Sequence, residues 1–151
     1  MFEKILICLD GSNLAEQILP YATEQALQFS SRVVLLQAFI IPSSVAVADA
    51  EATPAISPNL LEEEARRLEA EAMTYLEEIA APLREKSLDV DCVTLQGIAG
   101  DVIVSYARNE NVDLIALATH GHSGLGRIIF GSVTDHVLRE SGLPILIIKP
   151  Q

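Results

Sequence analysis

Lys4-Ile5-Leu6-Ile7-Cys8-Leu9-Asp10-Gly11-Ser12 is the stretch on which the fold turns. From Lys4 to Leu9 the apolar run is nearly unbroken but only a few residues long, which suits a strand buried on both faces and not a membrane span. Asp10-Gly11 is a turn pair, and Ser12 reads as the N-cap of a helix. Behind it Ala15, Ile18, Leu19, Ala22, Ala26 and Phe29 recur at steps of three and four, so one amphipathic helix is expected from Ser12 onward. Strand, tight turn and helix make a βα unit.

The unit repeats along the chain. Further apolar runs occupy Val33 to Ile41, Val90 to Leu95, Val112 to Ala118 and Pro144 to Lys149. Four of the five runs are nearly continuous, whereas Val90, Cys92 and Thr94 alternate with Asp91 and Val93, so the Val90 strand is expected to be less covered than the others. A long helix from Asn59 to Lys86 is written by Leu61, Ala65, Leu68, Ala72, Leu76, Ile79 and Leu83. Asn59 and Glu62 form a capping-box pattern, Glu62, Glu63 and Glu64 sit at the positive end of the dipole, and Pro82 is expected to bend the last turns. Shorter helices are predicted over Asp101 to Asn109 and Ser132 to Ser141, the latter stopped by Gly142. Strand and helix thus alternate from end to end, which predicts an α/β fold: an open, doubly wound, five-stranded, mostly parallel sheet with right-handed crossovers and helices on both faces. Residues Pro42 to Pro58 carry no period and are long for a βα connection, as lids and disordered segments are.

The chain has 151 residues, of which 50% are hydrophobic and only 5% aromatic, enough for one domain (1–151) with a core of Val, Ile, Leu and Ala. Ten Lys and Arg against 21 Asp and Glu give a net charge of −11, a field that repels phosphate backbones and anionic lipid. Nucleic acid and membrane are therefore not expected as partners. Cys8 and Cys92 stand far apart with no C-x-x-C, which is no disulfide framework and fits a reducing compartment. With no basic leader and no apolar stretch of about 18 residues, a cytoplasmic protein is expected.

In open parallel sheets the ligand crevice lies at the carboxyl ends of the strands. Candidate positions there are Cys8, Leu9 and Asp10 after the first strand, Ala38 on the second, and the glycine-rich stretch from Ala118 to Thr134 after the fourth. Gly131-Ser132 opens a helix whose free N–H groups favour an anion, so a phosphate cradle is one reading; a plain connector whose Ser132 and Thr134 cap the helix is the other. Gly121-x4-Gly126-Arg127-Ile128 nearly spells a P-loop, but Arg stands for the phosphate-reaching Lys and Ile for the Mg-binding hydroxyl residue, so a Walker-type NTPase is rejected. Asp10 admits an Asx turn as well as a ligand role. His120, His122 and His136 lack the companions of a metal site; His122 and Arg127 are better placed to meet a phosphate. No nucleophile with an oriented base and no acid/base carboxylate pair is present, so no catalytic residue is assigned and a dedicated enzyme is not expected.

The order of elements, the opening Lys4 to Ser12 and the stretch Asp113 to Lys149 together resemble the universal stress protein family, over essentially the whole chain. Nucleotide-binding members of that family carry G-x2-G-x9-G-[ST]; the matching residues are Ala118-x2-Gly121-x9-Gly131-Ser132, with Ala118 in place of the first glycine. The resemblance implies a Rossmann-like sheet of the adenine nucleotide alpha hydrolase-like type and a regulatory stress-response protein binding ATP, ADP or AMP, with at most slow ATP hydrolysis. It implies that Cys8, Leu9 and Asp10 face the nucleotide, Asp10 also reaching its Mg or Mn, and that the Ala38 backbone meets the adenine edge. It implies that Gly121, His122, Gly131 and Ser132 hold the phosphates, with Val133 and Thr134 completing the helix start; His120 and Arg127 are counted among the nucleotide-binding positions beside them. Because some members lack the motif, the departure at Ala118 leaves a second possibility, a nucleotide-free homodimeric interaction or chaperone-like protein. An apolar strand at Pro144 to Lys149 needs cover, and a homodimer through it is expected, besides a protein partner the sequence does not identify.

Overall fold

The structure, a computed structural model, describes residues 1–42, 58–119 and 130–151. Most of the expected Pro42 to Pro58 lid, residues 43–57, lies outside the described residues, as do 120–129 of the glycine-rich stretch. In chain order the elements are β1 (Lys4–Leu9), α1 (Asn13–Glu16), α2 (Leu19–Phe29), β2 (Arg32–Phe39), α3 (Pro58–Glu85), β3 (Val90–Gln96), α4 (Ala99–Asn109), β4 (Leu114–Ala118), α5 (Ser132–Glu140) and β5 (Ile145–Ile148). The strands form one sheet in the order β3-β2-β1-β4-β5, every pairing parallel.

Alternate side chains of each strand serve two apolar clusters, which is why the sequence shows unbroken apolar runs. On one face Ile5, Ile7, Leu9, Val33, Leu35 and Ala116 pack under Ala15 of α1, Ile18 at the cap of α2, Ala22 and Ala26 of α2, and Leu76, Ala80 and Leu83 of α3. On the other, Leu6, Cys8, Val34, Leu36, Ile115 and Leu117 pack under Ile103, Val104 and Ala107 of α4 and Val137 of α5. The doubly wound arrangement follows. The seam between β1 and β4 is tied at its amino end by Asp113, whose Oδ2 accepts the backbone N–H of Glu3 and of Lys4 at 2.9 Å each.

Several local expectations are corrected. The single helix expected from Ser12 is two. Ser12 does cap α1, its Oγ accepting Ala15 N–H at 3.1 Å, but α1 stops at Glu16. Pro20, which has no N–H to bond the Glu16 carbonyl, instead falls in the first turn of α2. Among the described residues the long helix already includes Pro58, so Asn59 lies within it and not at its cap. Pro82 stands within α3, three residues from its last residue. Four strands were expected to be covered on both sides, yet β5 joins β3 at the margin, and all four β5 residues are only partly buried, because an edge strand has one neighbour.

Three helix ends close in a left-handed residue that is not glycine. Ser30 (φ 54), Ser87 (φ 64) and Asn111 (φ 54) follow α2, α3 and α4. The next residue in each case bonds back to a carbonyl in the last turn: Ser31 to Ala26 at 2.9 Å, Leu88 to Leu83 at 3.4 Å and Val112 to Ala107 at 3.0 Å. After α5 the same left-handed turn is made by Gly142 (φ 66), the residue expected to stop that helix.

Candidate functional site

In the order β3-β2-β1-β4-β5 the chain winds one way from β1 to β3 and the other way through β4 and β5, so the switch lies between the carboxyl ends of β1 and β4. A cleft of about 200 Å³ opens there, lined among the described residues by Cys8, Leu9, Asp10, Ala15, Leu36, Ala38, Ala99, Ile103, Leu117, Ala118, Gly131, Ser132, Val133 and Thr134. Nine of the positions singled out in the sequence thus meet around one opening: Cys8, Leu9, Asp10, Ala38, Ala118, Gly131, Ser132, Val133 and Thr134. His120, Gly121, His122 and Arg127 lie outside the described residues.

One wall is the start of α5. Gly131 is its N-cap, with extended backbone (φ −59, ψ 159) and no side-chain capping bond, and the first helical hydrogen bond runs from Asp135 N–H to the Gly131 carbonyl at 2.9 Å. Ser132, Val133 and Thr134 therefore offer N–H groups with no intrahelical partner at the positive end of the dipole. The N-terminus of α4, which also has no side-chain cap, brings Ala99 and Ile103 to the cleft. With Leu36, Ala38 and Leu117 they give an apolar slot beside the polar helix start. Such a juxtaposition accepts a flat apolar group carrying an anionic tail.

Asp10 stands at the mouth. Its Oδ1 accepts the Ser12 backbone N–H at 2.9 Å and the Ser12 hydroxyl at 2.6 Å, so it builds the turn that Ser12 then passes on to α1. Gly11 takes a left-handed φ of 83 in that turn. Cys8 is buried in the floor, where desolvation pushes its thiol up to about 12 and keeps it neutral. His136 turns away from any such role: its Nε2 lies 3.0 Å from Asp101 Oδ1, bridging α5 to α4. Gly100 leaves it room, since a Cβ there would come within 2.8 Å of the imidazole Cδ2. Among the described residues no group of three His, Cys, Asp or Glu is spaced to hold a metal ion, and the cleft lining has Asp10 as its one carboxylate and no histidine.

The sequence reading missed the apolar lining, namely Ala15, Leu36, Ala99, Ile103 and Leu117. Three of these carried a signal. Leu36 stands two residues before Ala38 and so shares its face of β2, and Ala99 and Ile103 are one helical turn apart at a helix start.

The chain matches the family described as "Universal stress protein family" over residues 1–149. Universal stress protein MJ0577 of Methanocaldococcus jannaschii is 29% identical over 99% of this chain and 96% of its own length. Its solved structure superposes with a TM-score of 0.81 at 28% identity, covering 100% of this chain and 98% of that one. Two less similar structures share the fold. A universal stress protein in complex with cAMP has a TM-score of 0.68 at 16% identity, with 99% of this chain and 98% of that chain covered. A universal stress protein family protein from Arabidopsis thaliana with AMP bound has a TM-score of 0.61 at 16% identity, with 98% and 92% covered. On a match that runs the length of the sheet and through the cleft at its switch point, the chain belongs to the universal stress protein family.

Proposed function

We propose that the chain binds an adenine nucleotide in the cleft at the β1–β4 switch and acts as a regulatory stress-response protein, not as a dedicated enzyme. The observation that carries this reading is the pairing in one opening of an uncapped helix start, α5, with an apolar slot floored by Leu36 and Ala38. The slot suits a purine and the N–H groups of Ser132, Val133 and Thr134 suit phosphate. The cleft is small beside the ~300–1,000 Å³ of drug-sized pockets, so phosphates beyond the first would lie along its mouth, toward Asp10 and a bound Mg or Mn. The family likeness, and relatives whose structures hold cAMP or AMP, favour the same ligand class.

Ala118 does not argue against it. Its methyl belongs to the cluster under α1, α2 and α3, together with Leu9, Ala15 and Ala116, while the α4 and α5 walls of the cleft close on the opposite face of the sheet. The extra carbon over glycine thus packs beside Leu9 and Ala15, where the core meets the cleft lining. Hydrolysis of ATP would be slow, because the described lining holds groups that bind charge but none that positions a water for attack. The partly exposed apolar strand β5 favours a homodimer built on that edge. We take residues 1–151 as one domain working in the cytoplasm; among the described residues no helix is long and apolar enough to cross a membrane.

Calorimetry with ATP, ADP, AMP and cyclic AMP tests the reading, together with the adenine absorbance released when purified protein is denatured and filtered. Binding that is lost in Gly131→Trp while the circular dichroism spectrum is kept supports it. No binding of any of the four at millimolar concentration refutes it and leaves a nucleotide-free interaction protein.

A further inference from the structure

Thr119 is the first residue past β4 and is 5% exposed. Its backbone N–H and its hydroxyl point to different places. The backbone N–H extends the β4–β5 ladder by donating to the Ile148 carbonyl at 2.9 Å. The hydroxyl Oγ1 accepts the backbone N–H of Gly131 at 3.2 Å, across twelve positions of sequence. The residue at which the chain leaves β4 is therefore tied directly to the residue that caps α5.

We infer that Thr119 is the positioning residue of the phosphate end of this site, an inference that rests on the nucleotide reading above. Gly131 is the N-cap of α5 and has no side chain with which to fix its own geometry. Thr119 supplies that constraint from the sheet. By taking the Gly131 N–H it holds the cap extended and leaves the next three N–H groups, those of Ser132, Val133 and Thr134, for an anion. Its own hydroxyl is turned to the backbone and makes no direct contact with ligand in this scheme. A β-branched side chain suits the task, because χ1 of threonine is restricted and the hydroxyl keeps its aim. Valine has the same shape and no acceptor; serine has the acceptor and a freer rotor.

The test compares wild type, Thr119→Val and Thr119→Ser by titration with ATP and with adenosine, and follows exchange of the Gly131 amide proton by nuclear magnetic resonance. Loss of one net hydrogen bond from the cradle predicts ATP binding about three- to tenfold weaker in Thr119→Val, with adenosine binding unchanged and ATP binding largely recovered in Thr119→Ser. Gly131 N–H should exchange slowly in wild type and Thr119→Ser, and fast in Thr119→Val. Equal weakening of ATP and adenosine would mean a general structural role and overturn the inference. So would ATP binding that Thr119→Val leaves intact, while the nucleotide reading itself survived. A fast-exchanging Gly131 amide in wild type overturns it without any variant, and a wild-type protein that binds no nucleotide overturns both readings.

Discussion

Replacing Ser132 by proline removes part of the candidate cradle at almost no expense to the helix that carries it. Ser132 is the first residue of α5, a position whose N–H has no intrahelical partner and where proline is favoured. Gly131 before it has φ −59 and ψ 159, within the extended region that a following proline requires. The fold should therefore tolerate Ser132→Pro, and the stiffer unfolded chain should offset what strain remains, by about 0.4–1 kcal/mol. What disappears is one backbone N–H and one hydroxyl at the mouth of the cleft. Hydrogen bonds to a charged group contribute about 1.5–3 kcal/mol. Nucleotide affinity should accordingly fall about ten- to a hundredfold. Ser132→Ala, which keeps the N–H, should lose only the share of the hydroxyl. Calorimetric titration with ADP and thermal melting of the three proteins give the answer. Ser132→Pro with unchanged melting temperature and an affinity within about twofold of wild type would refute the assignment of this helix start to phosphate.

Three other outcomes can be checked. Ser87→Gly, and in the same way Ser30→Gly, should stabilise the protein by about 0.5–1 kcal/mol, because a left-handed L-residue costs about 1–2 kcal/mol and glycine returns roughly half of that as unfolded-state entropy; the urea midpoint reports it, and a lower midpoint contradicts the argument. Burial raises the Cys8 thiol from 9.0 to about 12, so its stabilising contribution is complete below pH 9 and is lost as pH climbs toward 12. Cys8→Ala should flatten the alkaline fall in stability over that window, and an unchanged fall would place its cause elsewhere. Leu146→Lys, on the partly exposed edge strand β5, should convert a sedimenting dimer to monomer; a monomeric wild type, or a dimer indifferent to the change, would remove β5 as the interface.

The sheet was legible because strands covered on both faces must be apolar at every position, and runs such as Ile5 to Leu9 have no other soluble use. What escaped was set by backbone groups and not by side-chain periodicity. Leu19, Ala22 and Ala26 continue the helical spacing begun at Ala15, so the pattern runs straight through the break that the missing N–H of Pro20 enforces. Asn59 and Glu62 spell a capping box, yet Pro58 is already helical, so Asn59 lies inside the helix. The endings at Ser30, Ser87 and Asn111 carry no glycine to announce them. At the cleft, polar and glycine positions were easy to single out because few other uses suit them beside a strand end. Its apolar lining, Leu36, Ile103 and Leu117, looks in sequence like any core residue, since only the position of the sheet's edge decides whether a core side chain also floors an opening.

The carboxylate of Asp113, which accepts N–H groups from residues 110 and 109 positions earlier, ties the strand pairing of longest sequence separation in the sheet, β1 with β4. During synthesis β1, β2 and β3 emerge in that order and pair as successive neighbours, whereas the other flank of β1 waits for β4, which follows α4. That closure carries the largest loop entropy in the sheet and is the contact that raises its contact order. Until then one flank of β1 is an open apolar edge that a chaperone or a second nascent chain could meet. The candidate cleft straddles this same seam, so it is among the last features to form, and a chain that has paired only β1, β2 and β3 does not yet have it.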